Sequence, residues 1–501
     1  MSCLSLRAVP LSRRRASMRV VSRGRGMPAI IASAAVLVAA GCLAAAEPAP
    51  APAPDTVAAR VAAQQSKPSV HLDPGAIADA LAIAGVPEAT VARLFDATLR
   101  ANLPGMAARI DAFLFFTRDP EWLAMRRHFA EFLELPEVQS LDAADAAALR
   151  GYGGVVSLPA INHLSPQTAR AFESFGTDDW GAAVELPGVV ELEPEAASAL
   201  ARCKALLVLP HLERLSAESA RQLARHEGIG IVIGGLDRLP ADVAAALAEA
   251  KSIQGLLLPD LVVLESQPLA RRLARQDHAF LPAITMLDPA VAEALRGNEG
   301  GELALPGIEM LSPDVARHLV GAGYYWLTFG CAATLTAETA EILARHNGQL
   351  TFTGPAVFSA AAAAALANHK GTLILAHVGE LPADVPQALS PHAGALVLGG
   401  VTRLTPEAAR ALSTHAGRLV LPAVESLDAP VAAALAEHAG GLVLPGVCEL
   451  STATAAALAL VRGPVWLPAL ERISPRGLEL LSAKPGTQLP EVESLDVVPG
   501  L

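Results

Sequence analysis

The chain has 501 residues, more than a single hydrophobic core usually holds before a chain divides. Hydrophobic residues make up 52% but aromatics only 4%, so the interior is built from Ala, Leu and Val in many small layers, which suits stacked repeats better than one large globule. The formal charge is −12, and without residues 1–46, which hold seven Arg and no acid, 31 basic side chains face 50 acidic ones, a balance of −19 that argues against a nucleic-acid partner.

The N-terminus carries Arg13, Arg14, Arg15, Arg19, Arg23 and Arg25, then an apolar run from Ile30 to Ala40, then small residues. This order reads as an export signal over 1–46, with Met18 and Met27 as alternative starts. Two processing outcomes fit. Ala39-Ala40-Gly41-Cys42 matches a lipoprotein signal with Cys42 lipidated, and Ala44-Ala45-Ala46 matches ordinary signal-peptide cleavage. Of the five cysteines, Cys3 and Cys42 lie in the signal region and Cys203, Cys331 and Cys448 fall far apart, so no disulfide framework follows. Residues 47–68 open with a Pro-Ala alternation and read as an extended tether in which no fold is expected. Residues 69–134 carry helical signals, among them Asp73-Pro74 and the apolar spacing Ile77, Leu81, Val91 and Leu94, with Phe113, Phe115, Phe116, Trp122, Phe129 and Phe132 clustered after them. The segment is expected to be a helical cap over the open end of the first repeat.

From 135 to 501 the sequence repeats itself. The clearest copies are Arg418–Leu427 and Gly441–Leu450, whose prolines Pro422 and Pro445 are 23 residues apart. The same slot runs through Pro136, Pro159, Pro187, Pro210, Gly234, Pro259, Pro282, Pro306, Gly330, Thr353, Ala376, Gly399, Pro422, Pro445, Pro468 and Pro490. Most steps are 23 or 24 residues, and the step from Pro159 to Pro187 is 28. A Leu-x-Leu pair precedes the slot, as in a short strand with one face inward, and proline ends the ladder because it has no N–H to donate. An inward Leu follows five residues later, as at Leu215, Leu404, Leu427 and Leu450. Next comes a capping residue: Ser165, Ser216, Asp288, Ser312, Thr336, Thr405, Asp428, Ser451 or Ser474. Proline then often takes the first helical position, as at Pro166, Pro289, Pro313, Pro406 and Pro475. Ala409 with Leu412 and Ala432 with Leu435 mark the inward helix face, and glycines such as Gly228, Gly348, Gly371, Gly394, Gly417 and Gly440 are expected to end the helix in a left-handed turn.

The expected fold is therefore α/β: a strand-helix solenoid with a long parallel sheet on one side, helices on the other and right-handed crossovers, its strands about 4.8 Å apart. In period, in strand followed by helix and in the Leu-x-Leu element, the pattern resembles leucine-rich-repeat proteins over about residues 133–501. It departs from them in that proline takes the place of the family's regular Asn after the strand. The resemblance implies a scaffold that binds a partner and performs no catalysis.

Histidines recur before the helix-ending glycine, at His226, His346, His369, His392, His415 and His438, and read as helix C-caps, since adjacent helices stand about 8–10 Å apart, too far to share a zinc. The run Gly228–Gly235 follows a helix and becomes a strand, the reverse of a dinucleotide loop, so the repeat accounts for it. No zinc-binding His-Glu-x-x-His, nucleophile elbow or paired-carboxylate motif stands in register, and no cofactor is implied.

Between the inward leucines one residue faces out from the sheet. That series includes Val208, Val232, Leu257, Phe280, Ile374, Val397, Val420, Val443 and Trp466, an apolar stripe expected to be exposed as a partner or self-association face. Tyr324, Tyr325 and Trp326, and separately Asp178-Asp179-Trp180 in the lengthened repeat, are further candidate contact patches. Two functions follow as expectations: an exported or membrane-tethered scaffold for a protein, peptide or glycan, or a structural cell-envelope spacer that self-assembles without a specific ligand. In either case the membrane is met only through a lipid on Cys42.

Overall fold

The computed structural model describes residues 56–66 and, with short breaks, 132–498. The export signal with Cys42, and the expected cap as far as residue 131, lie outside the described residues.

Among the described residues every strand pairing is parallel, and the main strands follow one another in chain order. Six form one sheet from Phe132–Glu134 to Gly255–Leu257, and nine form a second from His278–Phe280 to Val465–Trp466. The register step reproduces the spacing of the proline slots. Leu396 pairs with Leu419 and Leu419 with Leu442, 23 residues apart, and the long step reappears as Val155 paired with Ala183, 28 apart. Proline stops the strand for the expected reason. Where the slot is Gly234, Gly330 or Gly399 the N–H survives and donates to the carbonyl of Leu209, Leu305 or Leu375. Where it is Thr353 or Ala376 the strand runs on, as Gln349–Pro355 and Leu373–His377.

Inward leucines of all repeats join one continuous core with the helix Ala and Leu positions, for instance Leu419 and Leu421 with Ala432 and Leu435. Eight of the nine named capping side chains accept a backbone N–H of the first turn. The exception, Asp428, makes no such bond and has Pro430 in the first turn. Each such cap contributes about 1 kcal/mol.

Two boundaries differ from expectation. Thr56 caps a helix, Val57–Gln65, inside the stretch assigned to a tether. Its Val57 and Val61 enter the main core, Arg60 pairs with Glu137 at 3.1 Å, and the Gln64 amide donates to the carbonyl of Phe132. An apolar i, i+4 pair behind a capping Thr thus packs against the first repeat. The strand Phe132–Glu134 likewise falls inside the stretch assigned to the cap, because Leu133 and Leu135 are already a Leu-x-Leu pair before Pro136.

The glycines at the ends of the helices are there for a different reason from the expected one. Among the described residues only Gly176, Gly235, Gly323 and Gly486 have positive φ, so the column Gly348, Gly371, Gly394, Gly417 and Gly440 makes no left-handed turn. A Cβ on any of the last four would run into the carbonyl oxygen of the glycine one repeat earlier. Glycine is needed because consecutive backbones touch there.

The two sheets meet at a break between Gly255–Leu257 and His278–Phe280. Here the buried Gln276 side chain takes the place of a neighbouring strand: its amide oxygen accepts from Leu256 N–H and its Nε2 donates to Leu256 O at 3.2 Å. Both backbone groups are thereby satisfied where no ladder continues.

A neighbouring pair of glycines tests the backbone-contact account. Gly440→Ala is expected to cost about 3 kcal/mol. Gly441→Ala, whose new methyl would lie 3.7 Å from the Arg418 Cγ, is expected to cost under about 1 kcal/mol. Urea unfolding of the two variants checks the difference.

Candidate partner-binding face

Strand alternation separates the expected stripe from the core. Ile374, Val397, Val420 and Val443 form an apolar cluster of their own on the opposite side of the sheet from the leucines, with Trp466 packed against its end. The register sets Ile374 beside Val397, Val397 beside Val420, Val420 beside Val443 and Val443 beside Trp466. The stripe is not exposed, however. These four side chains are only 0–4% accessible, and Val208 and Val232 are equally buried. In a parallel ladder with strands about 4.8 Å apart each branched side chain lies between two like neighbours, so the column acts as a second core.

Other members of the series keep access to solvent. Leu257, Phe280 and Trp466 are half-buried. Tyr324, Tyr325 and Trp326 divide. Tyr324 is a core residue: its hydroxyl donates to Leu295 O at 2.7 Å, its ring packs where a Cβ on Gly297 would clash, and burial pushes its phenol well above the usual range. Tyr325 is 37% exposed and meets half-buried Trp326 edge to face, with ring centroids 5.0 Å apart. Trp326 pairs in register with Gln349, and the two carry a buried indole N–H and a buried amide oxygen without hydrogen-bond partners. Asp178-Asp179-Trp180 lies outside the described residues.

Four exposed apolar residues escape the sequence reading: Leu460 and Val497 near the C-terminal end, and a pair in the central repeats. Met286 and Met310 are 66% and 65% exposed, four residues past the slot in consecutive repeats. The corresponding positions elsewhere hold polar residues such as Glu191, Arg214, Arg403, Glu449 and Arg472, and that contrast was the available signal.

The histidines do not cap helices. The backbone N–H of each closes the last turn, as His415 does on Leu412 O, while the ring turns toward the start of a strand. His346 Nε2 meets Tyr325 O at 3.1 Å, His392 meets Ala395 O at 3.4 Å, and His438 meets Gly441 O at 3.4 Å. From His346 to His438 five rings stack face to face, with centroids 6.2, 6.0, 5.7 and 6.0 Å apart. All five are buried. Burial, with neighbouring imidazoles adding to it, holds His369 and His415 down to about 4, and burial also lowers His346, His392 and His438. Rings stacked at that spacing cannot turn two nitrogens onto one metal at bonds of about 2 Å. Among the described residues no three His, Cys, Asp or Glu side chains are placed to hold a metal ion. Cys203 is buried, its thiol pushed up to about 12, and Cys448 is half-buried.

No family model and no curated protein matches the chain. Among solved structures it is similar to a leucine-rich-repeat protein of Leptospira interrogans, at 16% identity and a TM-score of 0.37, over 72% of this chain and 95% of that one. It is also similar to an internalin of Listeria monocytogenes, at 13% identity and a TM-score of 0.32, over 69% and 89%. A third match is to a chain in the Drosophila Toll–Spatzle complex, at 14% identity and a TM-score of 0.40, over 71% of this chain and about half (49%) of that one. These neighbours are leucine-rich-repeat proteins.

Because the valine column is closed, a charge placed in it acts on the fold. Val420→Lys is expected to cost about 3 kcal/mol or more, since the ammonium enters an apolar column without a counterion. Tyr325→Ala should cost about 1 kcal/mol or less. Thermal and urea unfolding of the two variants check this contrast.

Proposed function

We propose that the chain is a non-enzymatic repeat scaffold, exported or tethered to a membrane through Cys42, that holds a protein, peptide or glycan partner against its central repeats. One observation supports this placement above the others. Large apolar side chains with access to solvent recur in the repeats at and just after the sheet break, namely Leu257, Phe280, Met286, Met310, Tyr325 and Trp326, while Leu460, Trp466 and Val497 lie apart near the C-terminal end. The outward column itself is closed at Val208 and Val232, at Ala304, Thr328 and Thr351, and from Ile374 to Val443, so the access lies at Leu257 and Phe280 and at side chains beside the column. Aromatic and Met side chains are the types that interface centres favour, and the Tyr325–Trp326 pair supplies a rigid anchor. Export rests on the basic-apolar-small order of residues 1–46. No helix among the described residues is long and apolar enough to cross a membrane.

A photo-crosslinking amino acid at position 325, compared with one at helix position 410 in the full-length chain, tests the reading in intact cells. An adduct of one defined mass from position 325 and none from 410 is expected. Adducts from both positions, or from neither, would reject it. Once that partner is isolated, Tyr325→Ala with Trp326→Ala is expected to weaken its binding at least about 10-fold, measured by calorimetry. Cys42→Ala should move the chain from the membrane fraction to the soluble one if the tether is lipid.

A further inference from the structure

The histidine file runs beside the glycine column, where consecutive backbones touch. A Cβ on Gly371 would meet both the carbonyl oxygen of Gly348 and, at 2.9 Å, the Nε2 of His369; Gly348 stands in the same relation to His346. In these two units the ring folds over its own glycine, and throughout the column the glycines set consecutive backbones in contact. The result is a file of imidazoles with near-parallel planes, 3° to 11° apart, running through five repeats without interruption.

Neutral rings suit this place and charged ones do not. Neither nitrogen of His369 or His415, and neither Nδ1 of His392 or His438, has a hydrogen-bond partner of normal length. The groups that face them are one another and backbone carbonyls. His369 stands against His346 and His392, with the carbonyl sides of Ala344 and Gly348; His415 stands against His392 and His438, with Arg418 and His392 contributing backbone. His346 and His438 at the two ends meet the Tyr325 and Gly441 carbonyls, and His392 meets that of Ala395. Beside the first ring, Glu341, Arg345 and Lys370 line a cavity of about 430 Å³ that also touches His346, and Lys370 and Glu437 are chain neighbours of His369 and His438. Among the described residues no carboxylate exerts a resolved pull on any of the five. A proton on one ring therefore meets backbone carbonyls but no carboxylate in a buried column, and a second proton lies about 6 Å from the first.

We propose that the imidazole column makes residues 346–463 an acid-labile block, which opens on mild acidification while the repeats before the sheet break stay folded. The block carries the closed valine column on its other face, from Ile374 to Val443, so opening it uncovers that column as well. The direction follows from linkage. Free histidine titrates near 6.5 and His369 and His415 in the fold near 4, so between those values the unfolded block binds more protons than the folded one. Stability is complete above about pH 6.5 and is lost as the pH falls toward 4. The repeats from 183 to 258 have only His226 in this position, with Cys203 before it and Ala250 after it. The depressed carboxylates of those repeats, Glu191, Glu218 and Glu227, lose their contribution only below the normal carboxylate range.

The same column position holds Val461 in the following repeat, buried to 2%, so valine is a substitute that the fold already accepts. The test compares wild-type full-length chain with His369→Val/His415→Val from pH 7.5 to 4.5. Wild type is expected to lose about 10 °C in melting temperature and the variant less than half of that. Pulsed amide hydrogen exchange on the wild type at pH 5 should show protection lost in peptides from 346–463 and kept in those from 183–258. An unchanged pH slope in a folded double variant overturns the proposal. If the variant does not fold, the exchange experiment decides alone, and a uniform loss of protection, or none, overturns it.

Discussion

The contact on which the rest depends is the approach of one repeat's backbone to the next at the glycine column. There a carbonyl of one layer lies against the α-carbon of the following layer, closer than any side chain permits. That contact fixes the stacking distance on the helix-to-strand side, as the parallel ladder does within the sheet, so layers cannot slide or splay. One repeat buries too few leucines to offset the ordering of some 23 residues. In register, the same leucines become one interior that runs from Val57 to Leu495.

Register also explains why one sequence position yields a column of like side chains. The slot four residues past proline becomes a surface ladder in which Glu191 meets Arg214 and Glu449 meets Arg472, at 2.6 and 2.9 Å. Such exposed pairs are screened by water and add little to stability. Their importance lies in contrast, because Met286 and Met310 occupy the same ladder in the central repeats and leave an apolar stretch within a charged one. The outward strand position becomes the valine column, and the position before the helix-ending glycine becomes the imidazole file. Each column has a chemistry that no single repeat has, and function is sought in these columns for that reason.

The array is not uniform, and among the described residues the main ladder breaks beside side chains that keep access to solvent. Between Leu257 and Phe280 the ladder stops and Gln276 satisfies Leu256 from the side. The flanking side chains Leu257 and Phe280 lose a close-packed neighbour on one side and remain partly open. A break of this kind relaxes the demand that every outward residue be shielded by the next. The apolar surface of the central repeats is thus a consequence of the same geometry that closes the surface elsewhere.

Much of this was legible in the residues themselves. Spacing alone placed the strands, the caps and the inward leucines, because Leu-x-Leu, a capping Ser or Thr and a helix-starting Pro act within a few residues of one another. Alternation likewise put Val397, Val420 and Val443 on the face opposite the core. What those residues could not show is how near the next layer comes, since that distance exists only between repeats. It turned Gly394 and Gly417 from expected left-handed turns into points of backbone contact, turned His369 and His415 from helix caps into stacked and uncharged rings, and closed a stripe expected to be open. Local chemistry determined what each repeat is, and the separation of the layers decided which of its side chains meet water.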